Sequence, residues 1–183
     1  MKSKLLIAIA VTVGMMAMPS LADEQYKGES EILVGYTKAD IKNSEELHGA
    51  NLEYRNLAWE YFGYGAGFVY TQTSVGGGDV SLYSGDAFVM LRLPTSIGYF
   101  YSRYGASYTA IDVSAYNPFD GDTETVTDGD LSFFYGVGAN IKLYDRWNFD
   151  LSVNTKEPKF NLGYGKTNKA QMLIWSANLA YRF

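Results

Sequence analysis

The last thirteen residues of the chain, 171–183, read QMLIWSANLAYRF and decide the fold. Large apolar side chains alternate with small or polar ones, a period of two that is typical of a β-strand with two unlike faces. The apolar face consists of Leu173, Trp175, Ala177, Leu179, Tyr181 and Phe183. Such a strand either buries this face in a soluble core or presents it to lipid and turns its polar face inward.

The first 22 residues have the pattern of a cleavable export signal. A basic start precedes an apolar run at residues 5–18 that is too short to span a bilayer, and small residues close the segment. We therefore predict cleavage between Ala22 and Asp23 and export through the general secretory route. Residues 1–22 are then outside the fold, and residues 23–183 form a single domain.

The composition is typical of a long antiparallel sheet. The chain has 16 Tyr, 19 Gly and only 4 Pro, and it has no Cys that a disulfide would require. Its formal net charge of −5 excludes the basic surface of a nucleic-acid-binding protein. The sequence predicts neither a cofactor nor a metal centre.

Seven further segments have the same alternation as the terminal one. They are residues 31–37, 48–56, 62–71, 85–93, 100–110, 131–143 and 147–154. Their connections alternate long and short, and the long ones are residues 38–46, 74–84, 112–130 and 155–169. This pattern predicts an all-β fold, an eight-stranded antiparallel up-and-down transmembrane β-barrel in the outer membrane of a Gram-negative bacterium, with both termini in the periplasm.

The charges on the polar face argue against the alternative, a soluble lipocalin-like barrel or sandwich with an apolar interior. They are Glu53, Arg55, Asp86, Arg92, Arg103, Lys142, Asp150 and Arg182. We predict that they form a lumen polar network of ion pairs. Aromatic residues also concentrate near strand ends, where the girdles of a membrane barrel lie. They include Tyr36, Tyr70, Tyr108, Trp147, Trp175 and Tyr181.

Three short segments carry a family resemblance. Residues 51–55 (NLEYR), 134–139 (FYGVGA) and 180–183 (AYRF) resemble the small outer-membrane barrels of the OmpX/Ail and opacity-protein type. The resemblance implies contact with outer-membrane lipids and lipopolysaccharide. It also implies a surface role such as adhesion, host-factor binding or envelope integrity, with an extracellular ligand that the sequence does not identify.

The resemblance also implies that the chain's end is read by the barrel-assembly machinery. In such families the signal is the terminal aromatic residue and the apolar residues two, four and six positions before it. The matching residues are Ala177, Leu179, Tyr181 and Phe183, of which Ala177 departs most from the pattern.

A lipid-A-modifying enzyme is the main alternative function, because some eight-stranded barrels resemble enzymes that act on lipopolysaccharide. Such a site needs a His that works with a Ser and an acid. The single His of the chain, His48, falls on the apolar outer face of its strand, away from the lumen acids. We therefore predict no catalytic residue.

A narrow pore is the third candidate function. Eight strands enclose a space that side chains fill. The five cations and three anions of the predicted lumen network form a plug of ion pairs in that space. The sequence therefore favours a structural network over a conduction path.

Two long connections have opposite charge. The acidic one contains Asp120, Asp122, Glu124, Asp128 and Asp130, and the basic one contains Lys156, Lys159, Lys166 and Lys169. The acids do not form an EF-hand calcium site, because Thr125 and Leu131 stand where that loop needs Gly and Glu. We hypothesise that the two loops attract each other, or that the lysines bind lipopolysaccharide phosphates, which makes these nine residues candidates for surface binding.

Overall fold

The computed structural model describes residues 28–42, 44–75, 78–116, 123–161 and 168–183. The strands are β1 Glu29–Ile41, β2 Glu46–Trp59, β3 Phe62–Val75, β4 Gly78–Thr95, β5 Gly98–Tyr116, β6 Thr123–Tyr144, β7 Trp147–Lys156, β8 Lys159–Phe160, β9 Asn168–Lys169 and β10 Met172–Arg182. Within these described ranges, all strands except the two-residue β8 and β9 belong to one closed antiparallel barrel. No helix in them is long and apolar enough to cross a membrane.

The polarity of the barrel is the reverse of that of a soluble protein. Arg55, Glu31 and Asp150 are fully buried in the interior, whereas Phe133 on the outer face is 87% exposed. Large apolar side chains are exposed on every barrel strand except β3, whose outer aromatic side chains are half-buried, as a lipid-facing surface requires. The predicted eight-stranded transmembrane barrel is therefore confirmed.

The terminal strand closes the barrel on the first strand, as its pattern predicts. Ile32 lies opposite Tyr181, and Val34 lies opposite Leu179. The backbone of Phe183 exchanges two hydrogen bonds with that of Ser30, at 2.9 and 3.0 Å. Closure leaves the sheet without an open edge in lipid.

The barrel has two unlike ends. One end holds the start of β1, the end of β10 and the turns between β2 and β3, β4 and β5, and β6 and β7, and we call it the turn end. We call the opposite end the loop end. β7 and β10 have 10 and 11 residues, the length of one membrane crossing. β6 has 22 residues, about 70 Å at ~3.3 Å per residue, so it continues far beyond the loop end.

Two of the predicted loops are therefore mostly strand. Most of residues 74–84 belongs to β3 and β4, and the described part of residues 112–130 extends β5 and β6. The prediction of loops was wrong because Gly and Asp interrupt the alternation there. Cross-strand pairing nevertheless continues, with Val113 opposite Val126. The backbone ladder and β-branched partners hold these segments extended despite their weak individual propensity.

Glycines on the inner face make room for large side chains from other strands. A Cβ at Gly65 would lie 2.6 Å from the ring of Phe88, and one at Gly138 would lie 2.4 Å from the ring of Tyr101. The rings belong to a buried cluster in the barrel. Its members are Leu57, Phe88, Met90, Tyr99, Tyr101 and Phe134.

A second apolar cluster lies inside the loop end. Phe160 of β8 is 4% exposed and packs into it from the connection between β7 and β10. The other members are Ala39, Leu47, Leu82, Ile111, Met172 and Ile174. The interior is thus filled with side chains, as expected for eight strands.

Candidate functional site

Arg55 is the centre of the lumen network. It donates to Asp150 from Nη1 to Oδ2 at 2.7 Å and from Nη2 to Oδ1 at 3.1 Å, and its Nε donates to Glu53. Arg103 donates to the other oxygen of Glu53 at 2.6 Å. Four of the eight predicted network residues therefore form one continuous chain of buried, charge-assisted hydrogen bonds.

Three buried groups that the sequence reasoning missed extend this chain. The Tyr101 hydroxyl accepts from Arg55 at 2.9 Å and donates to Asp150 at 3.0 Å, and Tyr99 donates to Glu31 at 2.6 Å. Glu31 is fully buried. Its inward position could have been predicted from the sequence, because it alternates with the apolar Ile32. Tyr99 and Tyr101 could not be identified in this way, because the sequence search for network residues considered only charged side chains.

Asp86 belongs to a separate group with Lys156. The two charges lie 3.6 Å apart, and Lys156 also donates to Ser107 at 3.0 Å and to Ser84. The prediction of Lys156 as a surface-loop residue was wrong, since its side chain is 3% exposed. β7 continues to Lys156 and keeps its alternation, which turns this residue inward.

The other three predicted network residues lie at the turn end. Arg182 donates to Glu31 at 2.8 Å and so touches the central chain. The Arg92 guanidinium lies over the ring of Tyr99 at 5.2 Å and donates to the backbone oxygen of Trp59. Lys142 is exposed and has no carboxylate within ion-pair distance in the described ranges, so its prediction as a lumen-network residue is wrong.

The described acids of residues 112–130 lie on β6, since Glu124, Asp128 and Asp130 are strand residues rather than loop residues. Asp130 accepts a hydrogen bond from the backbone N–H of Lys159 at 2.8 Å, and Asp128 accepts one from the backbone N–H of Asn161. The acidic and basic segments therefore meet through backbone amides rather than lysine side chains.

Lys159 and Lys169 lie opposite each other in the small sheet of β8 and β9, and both are exposed. Neither has a carboxylate within ion-pair distance in the described part of the chain. The remaining predicted residues Ala22, Asp23, Asp120, Asp122 and Lys166 lie outside the described residues. In the described ranges, no group of three or more His, Cys, Asp or Glu is arranged to hold a metal ion.

His48 lies on the outer face at the loop end. Its ring stacks on that of Tyr36 at 6.1 Å between centroids, and its Nδ1 shares a hydrogen bond with the Tyr36 hydroxyl. Beyond this pair, Lys38 bonds to Glu46 at 2.6 Å. This change from aromatic to charged side chains is typical of a membrane boundary.

The predicted assembly-signal residues lie on β10 and at the chain's end. Leu179 and Phe183 are 43% and 56% exposed, and Phe183 stacks on Tyr181 at 6.5 Å between centroids. Ala177 lies opposite Tyr36 on β1. This apolar outer seam is accessible along one face, and its role as an assembly signal stays a prediction.

The middle of the lumen is almost full. The space between Asn51, Glu53, Asp86, Arg103 and Lys156 is a cavity of about 10 Å³, no more than one water requires. The ion network and the two apolar clusters occupy the lumen on either side of this space in the described barrel. The middle of the described lumen therefore has room neither for a substrate nor for a continuous path through the barrel.

The largest unpartnered feature lies outside the barrel. The last pair between β6 and β7 joins Phe134 to Lys156, so residues 123–133 of β6 pair with β5 alone among the described strands. Leu131 and Phe133 on this part of β6 are 68% and 87% exposed. The β5–β6 hairpin thus presents a strand edge together with apolar side chains.

Comparisons with known proteins agree with this geometry. The family model of the outer membrane protein beta-barrel domain matches residues 8–183. Ail, the attachment invasion locus protein of Yersinia pestis, is 22% identical and has a TM-score of 0.62, covering 86% of this chain and 100% of that one.

Two further solved barrels are similar in fold. Neisserial surface protein A is 11% identical with a TM-score of 0.62, covering 85% of this chain and 97% of that one. A major outer membrane protein from Thermus thermophilus is 13% identical with a TM-score of 0.54, covering 84% and 99%. A sequence search of the curated proteins finds no match.

Proposed function

Since the chain belongs to the outer membrane protein beta-barrel domain family, we propose that it is a non-enzymatic surface protein whose protruding β5–β6 hairpin binds an extracellular partner. The turn end then faces the periplasm and the loop end faces the cell exterior. Export through residues 1–22 and insertion by the barrel-assembly machinery belong to the same proposal.

The observation that carries this proposal is the strand edge of β6. Residues 123–133 continue beyond the last pair with β7 and have no backbone pairing on that side among the described strands, where β8 and the residue after it donate backbone hydrogen bonds to the side chains of Asp128 and Asp130. An extended peptide adds to such an edge through main-chain hydrogen bonds, and neighbouring side chains give specificity. Leu131 and Phe133 supply that apolar surface. We therefore propose an extended peptide segment of a surface protein as the partner.

The charge of the loop end favours such a peptide over a sulfated polymer. Ail of Yersinia pestis has been solved with the heparin analogue sucrose octasulfate. In this chain, acidic residues outnumber basic ones in segments 38–46, 112–130 and 156–169 taken together. A net negative surface repels polyanions and attracts basic segments.

The structure around Ser84, Ser107 and Lys156 argues against a catalytic role. Among the described residues, this is the serine cluster that contacts a basic side chain. Ser84 and Ser107 both contact the Lys156 ammonium, an arrangement that resembles a Ser-Lys dyad. All three side chains are at most 3% exposed. A lipid-A-sized substrate does not fit there.

Lipopolysaccharide contact is the second part of the proposal, and it rests on Lys159 and Lys169. Like charges directly opposite each other in a sheet are destabilising unless an anion lies between them. We propose that the two ammonium groups bind a phosphate of lipopolysaccharide. The double variant K159Q/K169Q should weaken lipopolysaccharide binding, and K38Q, whose ammonium group is already paired with Glu46, should not. Equal binding by the wild type and both variants would contradict this part.

The peptide-binding proposal is tested with two shortened hairpins. Asp112 and Thr127 are paired, so replacing residues 113–126 by Asn-Gly gives a two-residue turn in register. Thr73 and Val80 are also paired, and replacing residues 74–79 by Asn-Gly gives the matched control. A displayed library of linear peptides is selected against the wild-type protein in lipid discs.

We expect selected peptides to bind the wild type and the β3–β4 control alike and to bind the shortened β5–β6 hairpin at least about tenfold more weakly. A photo-crosslinker at position 133 should capture the peptide, and one at position 143, near the turn end, should not. Failure to select any peptide, or equal affinity for all three proteins, would overturn the proposal.

A further inference from the structure

The carboxylates of the barrel interior leave one buried cation without an ionic partner. Arg55 and Arg103 are paired with Glu53 and Asp150, and Lys156 with Asp86. Arg182 is paired with Glu29 and Glu31. Among the described residues, the buried cation that remains is Arg92, which has no carboxylate within 4 Å.

Arg92 is only 6% exposed, so its charge is largely removed from bulk water. Its hydrogen bond to the Trp59 backbone oxygen and its position over the Tyr99 ring supply partial negative charge but no anion. Its buried Nε has no hydrogen-bond partner among the described residues. A buried charge without a counter-charge is costly, which makes this guanidinium a receptor for an anion.

The space beside Arg92 is large enough for such a ligand. A cavity of about 220 Å³ opens at the turn end, several times the ~30 Å³ that one water occupies. Arg92, Lys142 and Arg182 line it, and so do the acids Glu29 and Glu60. Glu29 is already bound by Arg182. Glu60 is then the one remaining acid in the cavity lining, beside Arg92 and Lys142, which have no ion pairs among the described residues.

The cavity also has the donors that an oxyanion requires. Thr95 at the end of β4 and Ser96 in the turn that follows line it beside the guanidinium and ammonium groups. A planar guanidinium binds carboxylate or phosphate through two hydrogen bonds, and an ammonium adds a compact charge. Hydroxyl donors complete the coordination of the remaining oxygens.

We propose that the turn end of the barrel is a binding site for a small oxyanion, a phosphate or carboxylate group, held by Arg92 and Lys142. The site opens on the side opposite the protruding hairpin and is independent of the proposed peptide binding. The shared chemistry admits a soluble anion or a lipid headgroup.

Binding of inorganic phosphate to the folded full-length barrel in a phosphate-free detergent tests the site, with ³¹P line broadening as the readout. We expect saturable broadening, with affinity reduced about tenfold in R92Q and at least about threefold in K142Q. K38Q is the matched control, because Lys38 lies at the loop end and is already paired with Glu46. It should bind as the wild type does.

Heat-modifiable migration on a gel verifies folding of each variant. If R92Q does not fold, K142Q still tests the site, because Lys142 is exposed and its replacement should not disturb folding. The same measurement in lipid discs that contain phosphatidylglycerol distinguishes a lipid headgroup from a soluble anion. Loss of phosphate binding in these discs identifies a headgroup as the occupant, and retained binding identifies a soluble anion. Absence of saturable binding by the wild type would overturn the proposal. Wild-type affinity in the folded K142Q variant would do the same.

Discussion

Arg55 on β2 and Asp150 on β7 form a two-bond ion pair at 2.7 and 3.1 Å, and both side chains are fully buried. Their strands are three positions apart around the barrel, with β1 and β10 between them. The pair therefore ties two non-neighbouring walls together through the lumen.

Replacing Arg55 with Met should destabilise the barrel by about 3–5 kcal/mol, because Asp150 then keeps a buried charge without its main partner. The double variant R55M/D150N should recover part of this loss, since the uncompensated charge is gone. Urea unfolding in lipid vesicles, followed by Trp fluorescence, measures both values. An additive double variant would show that the two residues are not energetically coupled.

Gly138→Ala should lower the free energy of unfolding by about 1–3 kcal/mol, because the added Cβ overlaps the Tyr101 ring at 2.4 Å and displaces a hydroxyl of the network. Gly67→Ala is the matched control, since the nearest atom to its Cβ lies at 3.5 Å. The same urea experiment should find the control at least as stable as the wild type. Equal losses in both variants would contradict this account.

Phe160→Ala should loosen the β8–β9 segment without unfolding the barrel, because this ring alone anchors β8 in the apolar cluster of the loop end. Amide hydrogen exchange at Lys159 should accelerate at least about tenfold. Phe133→Ala, which truncates an exposed ring, should leave that exchange unchanged.

Phe160→Ala also tests the pore alternative. The buried ion network and the aromatic cluster still fill the lumen below the removed ring. Planar-bilayer recordings should therefore detect no stable conductance in the wild type or in the variant. A steady open state in either protein would favour the pore.

Phe183→Ser should lower the yield of inserted barrel in cells more than it lowers the stability of the refolded protein. The Phe183 backbone is bonded to Ser30, while its side chain is 56% exposed, so little packing is lost. The heat-modifiable fraction in membranes measures insertion, and urea unfolding measures stability. Leu143→Ser makes a similar change on the outer face away from the chain's end, and an equal insertion defect there would contradict a terminal signal.

Residue alternation predicted which side chains face inward, because side-chain direction along a strand is a local property of the backbone. It identified Glu53, Arg55, Arg103 and Asp150 as lumen residues from their positions between apolar neighbours. It failed where pairing overrides local propensity. Residues 112–116 pair with residues 123–127 although the segment is rich in Asp and Gly, and Lys156 follows β7 inward although it begins a stretch rich in lysine.

The sequence by itself, then, determined the closing strand and the inverted polarity of this barrel. The period of two in residues 171–183 gives the strand, and the charges on the polar faces of the other strands decide which face points inward. Only the tertiary structure decided which charges meet. Arg55 and Asp150 are 95 positions apart in sequence, and their contact depends on strand register and height in the lumen. The same register leaves Arg92 without an anion, a consequence that no local pattern contains.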